Sequence, residues 1–243
     1  MKYITLPKGA RERELPFFLA TEEWAARQAL LSSKENDGDD LFMMWQVEPT
    51  VIFGRHQVVE AEVNLDYCRR NGIGMYRRKS GGGCVYADMG NVMFSFITKE
   101  ENVNLTYNRL MNMMVLVLRR LGVEATSTSH NDVLVAGRKV SGTAYYHLPG
   151  ASIVHGTMLY DTMMDHMVNA ITPPQEKLEK NGVQSVRQRI GLLKDYVGLS
   201  LPELMTFVRQ TLCEGELLLT ETDVEAIEAI EQEYLRDDFI FRK

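Results

Sequence analysis

The sequence predicts an α+β fold, with a mixed or antiparallel β-sheet core and flanking helices. Short runs rich in Val, Ile, Phe and Tyr recur, bounded by Gly, Pro, Asn and Asp. Two pairs of these runs are joined by tight turns, as in hairpins. Helical periodicity occurs between and after the pairs, without the regular strand–helix alternation of a doubly wound sheet.

Leu15 to Leu31 reads as a helix. Pro16 stands near its start, Glu22 and Glu23 fall early, and Leu19, Trp24 and Leu31 are apolar positions. Ser32 to Asp40 is a polar loop, and Leu41–Val47 and Thr50–Gly54 are strands separated by Pro49. Leu65–Arg70 is a short helix that Gly72 suits as a C-terminal cap. Ile73–Arg78 is a strand leading into Gly81-Gly82-Gly83. Val85–Ala87 and Val92–Thr98 form a hairpin around Asp88-Met89-Gly90-Asn91.

Leu105–Leu121 is amphipathic, with Leu110, Met113, Met114, Val117 and Leu118 at helical spacing and Gly122 as its stop. Its methionines read as core. Asp132–Val135 and Lys139–Tyr146 form a second hairpin, turning at Ala136-Gly137-Arg138. Ile153–Tyr160 is a strand, followed by a helix over Asp161–Ile171 that Pro173 and Pro174 stop. Gln175–Gly198 is polar with patchy helical pattern. Ser200-Leu201-Pro202-Glu203 is a capping box opening a helix to Leu212, and Thr222-Asp223-Val224-Glu225 opens a last one.

At 243 residues, 45% hydrophobic and 25% charged, the chain matches an ordinary globular protein with a sizeable core. The net charge of −6 argues against bulk nucleic-acid binding. No apolar run has the length of a membrane span, and Met1 to Lys8 lacks a secretory apolar region. The expectation is therefore no nucleic-acid and no membrane partner. Cys68, Cys84 and Cys213 are odd in number without metal-like spacing, which points to a reducing cytoplasm.

Arg77-Arg78-Lys79-Ser80 runs directly into Gly81-Gly82-Gly83. Glycines allow positive φ and close approach, and successive N–H groups can converge on an anion. The pattern is neither a Walker A loop, since the lysine precedes the glycines, nor a dinucleotide fingerprint, since a strand follows. A basic hairpin bend and an anion cradle both fit it. Lys139, among small residues in a strand context, suits a point charge for an anion or an exposed strand position. Asn131 and Asp132 suit Mg²⁺ or ribose, or a strand-start turn. His155 and Trp45 read as core or rim residues, with ligand contact the alternative. Cys84 invites a nucleophile reading, but no histidine adjoins it in sequence.

In combination the motifs are more specific. RRKSGGGCVYADMGN (Arg77 to Asn91), GRKVSGTAY (Gly137 to Tyr145) and HGTML (His155 to Leu159) follow in order, with Gly54-Arg55-His56-Gln57 and Ser185 to Arg189 beside them. Over roughly residues 15 to 195 the chain resembles the lipoate–protein ligase family of the biotin/lipoyl ligase superfamily. The resemblance implies a biotin/lipoyl ligase catalytic-domain fold, with residues 1–243 a single catalytic domain whose part after about residue 196 is helical. It implies ATP-dependent activation of lipoate to lipoyl-AMP, with Mg²⁺, and transfer to a lysine of apo lipoyl domains. The acceptors implied are 2-oxoacid dehydrogenase complexes and the glycine cleavage H protein.

Matched by motif, the resemblance gives Lys139 the central contact to acyl carbonyl and phosphate. Arg78, Ser80 and Gly83 would contact the adenylate, Val85 and Tyr86 would flank base or acyl chain, and Asn91 would lie beside it. Asn131 and Asp132 would hold the nucleotide or its Mg²⁺, with Asp132 as metal ligand, and Trp45 and His155 would border an acyl tunnel. The chain departs from the pattern at Phe18, usually asparagine, and at Cys84, often alanine. It ends at Lys243 without the family's accessory domain, so the expectation is a separate accessory polypeptide or independent action. The rival activities are a thioester acyltransferase, for which only Cys84 would serve, and non-catalytic binding of the adenylate or lipoyl domain.

Overall fold

Two β-sheets face each other in the computed structural model, which describes residues 1–7, 13–30, 39–129, 131–171 and 189–242. From edge to edge, the large sheet contains β11 (Gly215–Leu218), β1 (Lys2–Thr5), β2 (Leu41–Trp45), β6 (Asn91–Thr98) and β10 (Ala151–Leu159). It continues with β9 (Arg138–Leu148), β8 (Asp132–Val135) and β7 (Ala125–Ser127). The small sheet has β3 (Thr50–Phe53) between β4 (Gly74–Arg77) and β5 (Val85–Ala87). The helices are α1 (Leu15–Trp24), α2 (Val59–Glu62), α3 (Leu65–Arg70), α4 (Val103–Arg120), α5 (Met164–Ala170), α6 (Leu201–Leu212), α7 (Glu221–Tyr234) and α8 (Asp237–Ile240).

Strand alternation divides the core. On β10, Ile153 joins α1 and α7 on one face of the large sheet, while Val154 and Met158 join α4 and α6 on the other. β6 and β10 are buried throughout and paired antiparallel from Asn91↔Leu159 to Thr98↔Ser152, and they lie at the middle of the sheet. A third cluster packs Val51, Phe53 and Tyr86 of the small sheet against Cys68 of α3 and Met167 of α5. Each such apolar side chain contributes about 1.5–3 kcal/mol relative to exposure.

Most predicted elements are present. Asn102 caps α4 by accepting from Leu105 N–H, and Met111 and Met114 are core. Ser200 and Glu203 form the capping box of α6. The β8–β9 hairpin turns through Ala136 and Gly137, both at positive φ (48° and 74°).

Several expectations need correction. β5 and β6 do not pair as a hairpin: β5 pairs with β3, and β6 lies between β2 and β10. Asp88 redirects the chain there, accepting from Gly90 N–H, Thr162 Oγ and Met163 N–H. The α-helix starting at Leu15 ends at Trp24 and continues over Ala25–Leu30 as a π-helix, and Leu31 lies outside the described residues. Glu22 and Glu23 fall late in α1 and are buried, so they do not serve its N-terminal dipole. The helix expected from Asp161 starts at Met164. The last helix is capped by Thr220 with Asp223, not from Thr222. β1, β7 and β11 carry no recognisable sequence pattern, at three or four residues each. Most of the polar loop 32–40, Pro173 and Pro174, and most of 175–198 lie outside the described residues.

Candidate ligand-binding site

A cavity of about 990 Å³ lies between the two sheets. Trp45, Met93, Ala144, His155 and Thr157 come from the large sheet, and Ile52, Val85 and the glycine-rich loop from the small one. Leu15 and Leu19 of α1 make one region apolar. Lys139, Asp132, Asn131 and Gly137, around the β8–β9 hairpin, make another region polar.

Lys139 Nζ lies 2.7 Å from Asp132 Oδ1, both side chains partly exposed. Two local features put them together. The β8–β9 register shifts between Val133 and Leu134, and Gly142 leaves room for the lysine. A Cβ at Gly142 would stand 2.7 Å from Lys139 Nζ. Asn131, at φ 62°, precedes the strand and faces the same cavity. Arg189 and Ile190 also line it, and Ile190 bridges in parallel to Lys139.

The glycine-rich loop is shaped from within by Arg78. Its guanidinium donates to the carbonyls of Gly81 (2.6 Å), Gly83 (2.7 Å) and Ile52 (3.0 Å). Burial pushes this group down to about 10. The carbonyls thus turn inward onto Arg78, with Gly82 at φ 89°. Glycine is required behind the loop too, because a Cβ at Gly54 would lie 2.3 Å from the Gly82 carbonyl oxygen.

His155 belongs to a buried polar chain. Its Nδ1 lies 2.8 Å from Glu22 Oε2 and its Nε2 2.7 Å from Ser80 Oγ. In the neutral imidazole this arrangement has Nδ1–H donating to the Glu22 carboxylate and Nε2 accepting from the Ser80 hydroxyl. Ser95 Oγ donates to Glu22 Oε1 at 2.5 Å, and Trp45 Nε1 donates to Ser95 at 3.0 Å. Trp45 also stacks on Phe18, with centroids 4.9 Å apart and planes 6° from parallel. Phe18 therefore backs the cavity wall through Trp45.

Of the residues predicted from sequence, Lys139, Arg78, Gly83, Val85, Tyr86, Asn131, Asp132, Trp45 and His155 line the cavity. Ser80 and Asn91 do not: Ser80 lies behind His155, and Asn91 is buried, donating to Tyr86 O and Thr162 Oγ. Glu22 and Ser95 do not stand out in the sequence. The available signal is two carboxylates in α1, whose ten residues are all buried. Cys84 lines the cavity, but burial pushes its thiol up to about 12 despite the nearby Arg78 charge. A thiolate nucleophile is disfavoured there. Among the described residues, no cluster of three or more His, Cys, Asp or Glu is arranged to hold a metal. No helix among them is long and apolar enough to cross a membrane.

Comparison with known proteins gives a consistent result. Residues 19–213 match the lipoyl protein ligase A/B catalytic domain. The lipoate-protein ligase LplJ of Bacillus subtilis is 34% identical over 226 residues, covering 88% of this chain. The chain spans 66% of the length of that relative. The structure of a bi-partite lipoate protein ligase from Thermoplasma acidophilum, described with its E2 lipoyl domain, is 26% identical. It superposes with a TM-score of 0.82, over 99% of this chain and 95% of the other. A crystal structure of lipoate-protein ligase A bound with ATP has the same fold at 24% identity, with a TM-score of 0.80 over 99% and 98% of the chains.

Proposed function

The chain belongs to the lipoyl protein ligase A/B catalytic-domain family, and on that premise we propose that it is an ATP-dependent lipoate–protein ligase. A lipoate carboxylate oxygen attacks the α-phosphorus of ATP, and pyrophosphate leaves. An acceptor lysine amine then attacks the activated carbonyl, forming an amide and releasing AMP and a proton. The first step brings two anions together, so a fixed cation and aligned donors lower its barrier.

The observation that carries this reading is the cavity's composition. Apolar walls from Leu15, Leu19, Trp45 and Met93 suit an acyl chain, at about 0.8 kcal/mol per buried methylene. Lys139 suits the carboxylate and α-phosphate, and Gly83, Val85 and Tyr86 suit the adenylate. Arg78 acts by holding the loop, and Ser80 by hydrogen bonding to His155. Asn131 and Asp132 suit the nucleotide. Mg²⁺ fits only in part: Asp132 is one carboxylate already paired with Lys139, so an ion would arrive with the ATP phosphates. Its chemistry would be neutralisation of phosphate charge. The raised Cys84 thiol weighs against the thioester transferase.

The acceptors proposed are apo lipoyl domains, those of 2-oxoacid dehydrogenases and the glycine cleavage H protein. The bi-partite lipoate protein ligase described with its E2 lipoyl domain supports a lipoyl-domain partner. Residues 1–243 are proposed to act as one catalytic unit, and the free cysteines suit the cytoplasm. The test follows lipoate transfer to an apo lipoyl domain with ATP and Mg²⁺, alongside AMP release. Lys139→Ala should fold normally and lose lipoate-dependent ATP consumption, and retained turnover would refute the mechanism.

A further inference from the structure

Arg77 faces away from the cavity. Its guanidinium is buried, at 1% exposure, and lies over the Phe53 ring with 4.9 Å to the centroid. It joins two backbone segments. Nη1 donates to the carbonyls of Gly54, Arg55 and Gln57, at 3.0, 3.2 and 2.9 Å. Nε donates to Phe239 and Ile240, at 3.1 and 2.9 Å, and Nη2 to Arg242 at 3.3 Å. The first segment is the back wall of the glycine-rich loop. Arg55 N–H donates to the Ser80 carbonyl at 2.9 Å, and Gly54 is in direct contact with Gly82. The second is the turn that contains α8. Arg242 also donates directly to the Arg55 carbonyl.

We propose that Arg77 is a positioning residue for the glycine-rich loop, and that the turn at 236–242 is a remote part of the same binding site. The connection runs from the turn through Arg77 to Gly54–Gln57, and from there to Ser80 and Gly82. A planar fork with five donors can satisfy carbonyls on both sides at once, which a lysine ammonium cannot. Lys79 adds a second tie, from Nζ to Glu23 (2.8 Å) and to Glu233 of α7 (2.7 Å), above the Tyr234 ring. Through Arg77 the turn holds the loop in its ligand-ready shape without touching ligand. This inference rests on the ligase reading above, in which the loop holds the adenylate.

The test uses Arg77→Lys and Ile240→Asp in the full chain. Ile240 is buried beneath the turn, so the second variant unhooks α8 while leaving Arg77 in place. Lipoate-dependent ATP–pyrophosphate exchange gives KM and kcat, and hydrogen exchange reads the amides of residues 80–83 without ligand. Both variants should raise KM for lipoate and ATP about tenfold, with kcat within about twofold. Exchange at 80–83 should accelerate while β6 and β10 stay protected. A fall in melting temperature with unchanged KM and unchanged exchange at 80–83 would reduce Arg77 to a structural role and overturn the proposal. An effect of Arg77→Lys absent from Ile240→Asp would remove the turn from the site. Wild-type protein that forms no adenylate would instead overturn the functional reading, whatever the exchange data show.

Discussion

Gly54→Ala is the sharpest probe of the loop's geometry. The new methyl carbon would stand 2.3 Å from the Gly82 carbonyl oxygen, where even close C···O contacts need about 3.3 Å. The carbonyl must therefore retreat by about 1 Å. It cannot move alone, because Arg78 holds the carbonyls of Gly81 and Gly83 on either side at 2.6 and 2.7 Å. The methyl would also lie 3.2 Å from Arg78 Nη2, so the clamp itself is crowded. Overpacking of this kind costs about 1–3 kcal/mol of stability. A 1 Å misplacement at a reacting centre costs about a hundredfold in rate. Lipoate-dependent ATP–pyrophosphate exchange should fall by roughly one to two orders of magnitude, while the protein remains folded by circular dichroism. Gly81→Ala is the control for stability, since its Cβ meets nothing within 4 Å and should leave the melting temperature unchanged. Wild-type exchange in Gly54→Ala, with an unchanged melting temperature, would refute the close backing of the loop.

Three further outcomes follow from the buried polar groups. Cys84→Ser should retain at least about half of the transfer activity, because the thiol is held protonated by burial; loss of activity in a transfer assay would restore the thioester route. Glu22→Ala leaves His155 Nδ1–H and the Ser95 hydroxyl without their acceptor, and should cost about 3 kcal/mol in urea unfolding. Glu22→Gln keeps one acceptor and should cost less; equal losses would contradict the network. Burial pushes the Glu23 carboxyl up, but Lys79, Arg27 and the Tyr234 hydroxyl outweigh it and hold it below the usual carboxylate range. A depressed folded-state value gives stability that is present above the unfolded value, about 4.3, and is lost as pH falls through the folded one. Unfolding free energy should therefore drop below about pH 4.3 more steeply in wild type than in Lys79→Met, and parallel curves would refute the coupling.

Legibility in the sequence follows how local each signal is. α4 is readable because its apolar face repeats within a turn, although its start at Val103 behind the Asn102 cap lies two residues before the expected Leu105, and α6 is readable because Ser200 and Glu203 cap it within three residues. The β8–β9 hairpin is readable because Gly137 marks its turn. By contrast, Val85–Ala87 and Val92–Thr98 look like a hairpin because their turn is short, yet they belong to different sheets. What decides this is pairing with β3 and β10, which are distant in sequence. Lys139 and Asp132 are legible as residues, but their 2.7 Å approach depends on a strand irregularity and on Gly142. Glu22 is read as a helix-start charge because sequence shows its type and not the face it occupies.

The basic triplet gives the clearest case of one pattern serving two purposes. Arg77 closes β4, and successive side chains on extended backbone point to opposite sides. Arg77 and Lys79 therefore share one side and Arg78 takes the other. The outer pair meets α7, α8 and Glu23, while Arg78 meets the carbonyls of the glycine-rich loop. A run of three cations before glycines reads as a patch aimed at an anion. In this fold all three are engaged by the protein itself, whereas Lys139, 43% exposed and paired with Asp132, is the lysine among the described residues that lines the cavity. Because Lys139 lines the cavity while Lys79 is held by Glu23 and Glu233, Lys139→Ala should cost far more activity than loss of the Lys79 charge.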